Sequence, residues 1–132
     1  MTLTISRAAS VGLGCFVAIT GLTHFTKPDY YRDLVPEWVP APRAAAAFSG
    51  VADVVAGALL VTPPTRRLGG LLTEALIATY LPAHLSDLRH PKDDSFLNRP
   101  VGVGARVAVN LGYITIALLA SRTSGTKGTW RR

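Results

Sequence analysis

Residues 44–62 read AAAAFSGVADVVAGALLVT and contain a single charged residue, Asp53. A helix of this length rises about 30 Å, which is the thickness of the hydrocarbon core of a bilayer. A helix of a soluble bundle needs a charged face opposite its apolar face, and this stretch has no such face. Residues 44–62 therefore predict a membrane-spanning helix rather than a helix of a soluble bundle.

Three further stretches of the chain share this lack of charge. Residues 8–25 contain no charged side chain, residues 68–86 contain only Glu74, and residues 101–121 contain only Arg106. Each stretch is long enough to cross the hydrocarbon core as a helix. The sequence therefore predicts four transmembrane helices, which together occupy most of the chain.

These stretches define the expected architecture. We expect one all-α domain over residues 1–121, an integral membrane bundle of four transmembrane helices with both termini on the same side. The expected helices cover about residues 5–26, 43–62, 66–88 and 101–121. Residues 122–132 are rich in Gly, Thr, Ser and basic residues, and we expect them to form a basic, flexible tail.

The composition excludes several other classes of protein. The chain has 14 Lys and Arg against 8 Asp and Glu, a net charge of +6, which by itself would suggest nucleic-acid binding. However, 48% of the residues are hydrophobic and only 17% are charged, so we expect no nucleic-acid partner and no intrinsic disorder. The single cysteine, Cys15, excludes an intrachain disulfide and Cys-x-x-Cys chemistry.

The distribution of charge predicts the orientation of the bundle. With four crossings, the two termini and the Pro63-Pro64 turn share one side, which carries seven basic and no acidic residues. The opposite side carries six basic and six acidic residues. Because cytoplasmic loops are enriched in Lys and Arg, we expect both termini to be cytoplasmic.

Three charged residues lie inside the predicted spans: Asp53, Glu74 and Arg106. A charge at a helix centre costs about 2.5–3.5 kcal/mol on insertion scales, so such side chains usually face a bundle interior and find partners. Asp53 and Glu74 lie at similar distances from the Pro63-Pro64 turn, so we expect them at similar depth. Arg106 is the only intramembrane cation that can reach them.

Polar residues at helical spacing extend this set to one interior face. The predicted ligand-binding site or buried polar network comprises Asp53, Glu74, Arg106, Asn110, His24, His84 and Tyr80. We expect the two histidines near the outer ends of their helices, about 10 Å or more from the depth of the carboxylates, and therefore no metal site. A network that only fixes helix register and a functional site both remain open, and no catalytic residue is assigned.

The order of motifs along residues 10–121 resembles the DoxX-like family of small four-helix bacterial membrane proteins. The resemblance rests on Gly21-x-x-His24-Phe25-x-x-Pro28, Ser49-Gly50-x-x-Asp53-x-x-x-Gly57, Pro82-Ala83-His84 and Arg106-x-x-x-Asn110. It implies a multi-pass protein of the bacterial inner (cytoplasmic) membrane. The family takes its name from a subunit associated with thiosulfate:quinone oxidoreduction, some relatives are linked to thiol redox complexes, and many members have no assigned activity. This chain lacks the thiol pair that a thiol relay needs.

Three functions follow as hypotheses. The first is a non-catalytic subunit or scaffold of a membrane-associated complex, such as an oxidoreductase complex, with the bilayer and a protein as partners and no cofactor. The alternative is a site for a quinone or another lipid-soluble molecule, in which Asp53, Glu74 and Arg106 handle protons. The weaker alternative is small-solute transport by a homo-oligomer. The sequence leaves open whether the protein is an enzyme.

Overall fold

A computed structural model of the chain describes residues 2–89 and 99–123, without the side chains of residues 2–6, 83, 84, 86–89 and 120–123. The predicted all-α class is confirmed, because these residues form helices and contain no strand. The elements are α1 (Thr2–Thr26), α2 (Pro28–Leu34), α3 (Pro42–Val61), a 3₁₀ turn (Pro63–Thr65), α4 (Arg66–Arg89) and α5 (Pro100–Thr123). The four long helices lie within a few residues of the expected ranges.

Within the described chain, three helices are long and apolar enough to cross a membrane: α1, α3 and α5. The coarse prediction of a membrane protein is therefore confirmed. Helix α4 is not among the three; it contains Arg66, Arg67 and Glu74 and ends in a polar stretch. The fourth span and the sides of the termini stay predictions.

Glycines bring α1 and α3 into close antiparallel contact. A Cβ atom built on Gly21 would lie 2.6 Å from the carbonyl oxygen of Gly50, and one built on Gly14 would lie 2.8 Å from that of Gly57. The partner number falls as the α1 number rises, so the two helices run in opposite directions. Small residues that let helix backbones approach closely are typical of helix contacts in membranes.

The bundle interior differs between its two ends, which we call the turn end (near Pro63–Thr65) and the α2 end. Near the turn end, buried apolar side chains pack around Leu13, Val17, Ala56, Leu60 and Ala117. Large apolar side chains also point outwards on every long helix, among them Ile19, Val51, Leu71 and Leu111. An outer surface of this kind is expected where helices contact lipid rather than water.

The turn between α3 and α4 supplies hydrogen-bond donors to the last carbonyl groups of α3. Thr62 donates through its backbone and its hydroxyl, Thr65 through its hydroxyl, and Arg66 through its guanidinium. The acceptors are the carbonyl oxygens of Ala58, Leu59, Leu60 and Val61. Four carbonyls at a helix end have no partner within the helix, so the turn completes α3. Arg66 is only 8% exposed as a result.

Helix α2 is an element that the sequence analysis did not anticipate. Pro28 stands in its first turn, where a proline is favoured because the missing N–H is not needed. Arg32 bridges Asp29 and Asp33 at 2.9 and 2.8 Å, and Arg43 at the start of α3 reaches Asp29 at 3.4 Å. The hydrogen bond and charge of Asp33 raise the pKa of Arg32. This surface network joins α2 to α3.

Candidate functional site

His24 is buried near the C-terminal end of α1 and is oriented by α3. Its Nδ1 atom lies 2.8 Å from the carbonyl oxygen of Ala46 and 3.1 Å from the hydroxyl oxygen of Ser49. The Ser49 hydroxyl in turn donates to the same Ala46 carbonyl at 2.9 Å. Because a carbonyl oxygen only accepts, Nδ1 carries the hydrogen. The other ring nitrogen, Nε2, is therefore free to face the bundle interior.

Asp53 is the residue that Nε2 faces. Its Oδ2 atom lies 3.6 Å from Nε2, and both side chains are buried. Its other oxygen, Oδ1, accepts a hydrogen bond of 3.2 Å from the hydroxyl of Tyr80 on α4. One carboxyl group thus links three helices, and we call His24, Asp53 and Tyr80 the polar cluster.

Helix α2 covers the polar cluster on the side of His24. The ring of Tyr31 stacks on the imidazole with 3.6 Å between ring centroids and 22° between ring planes. Its hydroxyl shares a hydrogen bond with the hydroxyl of Thr23 on α1. The rings of Tyr30 and Tyr31 lie perpendicular to each other with 5.2 Å between their centroids. Helix α2 therefore contributes an aromatic cap to a site whose polar groups come from the long helices.

The expected separation of His24 from the carboxylates by about 10 Å or more is wrong for Asp53. Side chains on a helix lean towards its N-terminus. Because α1 and α3 are antiparallel, His24 leans into the bundle and Asp53 leans towards the α2 end. The two helices also touch at this level, since a Cβ atom built on Gly50 would lie 2.6 Å from the Cβ of His24. An expectation based only on position along the helix axis includes neither the lean of the side chains nor the close contact of α1 with α3.

The other predicted site residues occupy different places. Glu74 and Arg106 are half-buried, and each has an interaction partner. Asn110 is half-buried and donates its amide hydrogen to the Arg106 carbonyl at 2.8 Å, a bond within α5. The side chain of His84 lies outside the described residues. Of the predicted set, the structure thus brings His24, Asp53 and Tyr80 into direct contact.

Two residues of the site were not predicted as members. Ser49 stands one helical turn before Asp53, so its spacing alone could have placed it on the same face. Tyr31 carried no such signal, because its position depends on how α2 folds back over α1. The centre of the cluster could thus be identified from the sequence, whereas its cap could not.

The described residues contain no group of three or more His, Cys, Asp or Glu side chains that could hold a metal ion. Cys15 is exposed on α1 and lies nine positions before His24. The chemistry that the polar cluster offers is hydrogen bonding and proton exchange, because it combines an imidazole, a carboxyl group and a phenol.

The described residues are helical, and three of their helices are long and apolar enough to cross a membrane, which places the chain in the class of membrane proteins. The chain belongs to the DUF8561 family, a domain of unknown function, which matches residues 13–121. No curated protein and no solved structure matches the chain. All three residues of the polar cluster and the α2 cap lie within the family match.

Proposed function

We propose that this chain is a DoxX-like protein of the bacterial inner membrane that serves as a non-catalytic subunit, or scaffold, of a membrane-associated complex. The observation that carries the proposal is that hydrogen bonds of the polar cluster join α1 to α3 and α3 to α4. Ala46 accepts from His24, and Asp53 accepts from Tyr80. A cluster whose groups bond one another joins helices into a fixed body, which suits a protein that presents a surface to a partner.

The proposal includes a fourth span formed by α4. This helix packs against both α3 and α5. Thr73, only 1% exposed, faces the interior, whereas Leu68 and Leu71 face outwards. The hydroxyl of Thr73 donates a hydrogen bond of 2.8 Å to the carbonyl of Gly69 in the same helix, so this hydroxyl needs no partner outside α4. A helix of this kind suits a span that keeps its polar residues inside the bundle.

Cysteine labelling tests the topology. Single cysteines at Glu37, Pro64, Ser95 and Thr126 in a Cys15→Ser background would be treated with a membrane-impermeant thiol reagent on intact cells. Four spans with cytoplasmic termini predict labelling at Glu37 and Ser95 and none at Pro64 and Thr126. Labelling at Glu37 and Thr126 with none at Pro64 and Ser95 would show that α4 does not cross.

Purification in mild detergent followed by native mass spectrometry tests the function. A scaffold predicts a protein partner in fixed stoichiometry with the chain, and this partner should remain bound to a folded Asp53→Asn variant. Purification of the chain without any partner, but with a bound small molecule, contradicts the scaffold proposal.

A second function, binding of a quinone or another lipid-soluble molecule, is favoured by one feature of the polar cluster. Tyr31 stacks on the face of the His24 ring, so a flat aromatic group already occupies that position. A planar ligand that displaced Tyr31 would meet the same imidazole face. This function predicts a small molecule that co-purifies with the native chain and is lost in His24→Gln, but is retained in Tyr30→Phe.

A further inference from the structure

His24 and Asp53 present proton acceptors to each other. The Ala46 carbonyl requires a hydrogen on Nδ1, and in a neutral imidazole this leaves a bare lone pair on Nε2. That lone pair faces Oδ2 of Asp53 across 3.6 Å. An ionised carboxylate also only accepts, so without a further proton two acceptors face each other in a buried space.

The hydrogen bond from Tyr80 distinguishes the two carboxyl oxygens of Asp53. The Tyr80 hydroxyl donates to Oδ1, so that oxygen already has a hydrogen-bond donor. Oδ2 is the oxygen directed at the imidazole. The oxygen that lacks the phenol donor is therefore the one that faces the bare nitrogen.

We propose that His24 and Asp53 form a membrane-embedded proton-binding site that holds one proton between Nε2 and Oδ2. In one form, Oδ2 carries the proton and faces neutral Nε2. In the other form, Nε2 carries it and an imidazolium faces a carboxylate. When the two side chains approach to hydrogen-bonding distance, the Oδ2–H bond breaks as the Nε2–H bond forms, and no other bond changes. The inference goes beyond the proposed function, because it requires neither a partner nor a ligand.

Both forms have zero net charge, which is why the pair can stay buried. Loss of the shared proton would leave a buried carboxylate without a compensating charge, and gain of another would leave a buried imidazolium beside a neutral acid. Either change buries an uncompensated charge, which costs several kcal/mol or more. The pair therefore balances the Asp53 charge without requiring Arg106.

The groups packed around the pair fit this assignment. From α2, the Tyr31 ring stacks on the imidazole, an arrangement that stabilises the imidazolium form by a cation–π contact. From α3, Ser49 lies beside Nδ1, and from α4, Tyr80 donates to Oδ1. Of the other charged side chains in the described interior, Arg66 bonds the carbonyls at the end of α3, and Glu74 and Arg106 each have an interaction partner.

Nitrogen-15 NMR of the full chain in detergent micelles tests the proposal. Histidine labelling reports the three imidazoles, and His84→Gln and His90→Gln variants assign the His24 signals by elimination. At neutral pH we expect hydrogen on Nδ1 and one further proton in the pair. That proton appears either on Nε2 or as an infrared absorption of a protonated carboxyl group that is lost in Asp53→Asn.

A matched control and a second measurement keep the result decisive. Glu37 is exposed, so Glu37→Gln should leave the His24 signals and the carboxyl absorption unchanged. If Asp53→Asn does not fold, carboxyl carbon signals of the wild-type chain labelled with ¹³C-aspartate report the same proton. A bare Nε2 together with an ionised Asp53, or an Nδ1 without hydrogen, would overturn the proposal.

Discussion

Gly21 and Gly50 lie back to back where α1 crosses α3, and the space between them excludes even a methyl group. A Cβ atom on Gly21 would lie 2.6 Å from the Gly50 carbonyl oxygen and 2.8 Å from the backbone nitrogen of Val54. Both atoms belong to the backbone, so neither can rotate away. The contact lies one turn from His24 and therefore sets the distance across which the imidazole meets Asp53.

We expect Gly21→Ala to lower the free energy of unfolding by about 1–3 kcal/mol, because overpacking must push the helices apart. Gly12 is the control, since a Cβ atom there meets nothing within 4 Å. Gly12→Ala should leave stability unchanged or raise it by up to about 1 kcal/mol, because alanine favours a helix. Denaturation in detergent followed by circular dichroism measures both, and equal effects would contradict the close contact.

Tyr80→Phe should lower the free energy of unfolding by about 1–3 kcal/mol, because it removes the donor to Asp53 Oδ1 and leaves a buried acceptor unpaired. Tyr30 is exposed, and its ring packs perpendicular to that of Tyr31. Tyr30→Phe should therefore change stability very little. The same denaturation measurement compares the two phenols, and a Tyr80→Phe variant as stable as the native chain would refute the bond.

Arg66→Gln should lower stability by about 1.5–3 kcal/mol, because the buried guanidinium donates to the carbonyls of Leu60 and Val61. Arg66→Lys should recover only part of the loss, since an ammonium group lacks the planar fork that reaches two acceptors. Arg67 is exposed and adjacent in sequence, so Arg67→Gln is the matched control. If the two glutamine variants melt at the same temperature, Arg66 does not complete α3.

Ala41→Gly should raise the free energy of unfolding by up to about 1 kcal/mol. Ala41 has φ 53° and ψ 60°, a left-handed conformation that costs a residue with a side chain about 1–2 kcal/mol. Glycine removes this cost, but its greater conformational freedom in the unfolded chain lowers stability by about 0.5–1 kcal/mol. Ala44→Gly, in the first turn of α3, should lower stability instead. Differential scanning calorimetry in detergent distinguishes the expected rise in stability of Ala41→Gly from the expected fall of Ala44→Gly.

The four long helices could be predicted because they depend on local composition. Stretches without charge are long in this chain, and Pro63 and Pro64 separate two of them. Helix α2 was harder to predict, because its seven residues lie in a segment with four prolines, where turns and extended structure are equally expected. A short helix of this kind depends on tertiary contacts, here Tyr31 on His24 and Arg43 on Asp29.

The members of the polar cluster could be chosen from the sequence, but their arrangement could not. Polarity within a long apolar stretch identifies His24, Asp53 and Tyr80, since such residues rarely occur there without a partner. Which of them meet depends on how closely α1 and α3 approach and on the direction in which side chains lean. From the sequence, Asp53 was expected beside Glu74 and Arg106, whereas the basic side chain 3.6 Å from its carboxyl group is His24.

The place of His24 near one end of its helix has an electrical consequence. His24 lies two residues before the end of α1 at Thr26, about 3 Å along the helix axis. A charge that crosses the whole membrane gains or loses about 2.3 kcal/mol per 100 mV of membrane potential. A proton that bound His24 from the α2 end would cross little of the field of a membrane spanned by α1, whereas one that came from the turn end would cross most of it. Protonation of the imidazole from the two ends would therefore differ in its sensitivity to voltage.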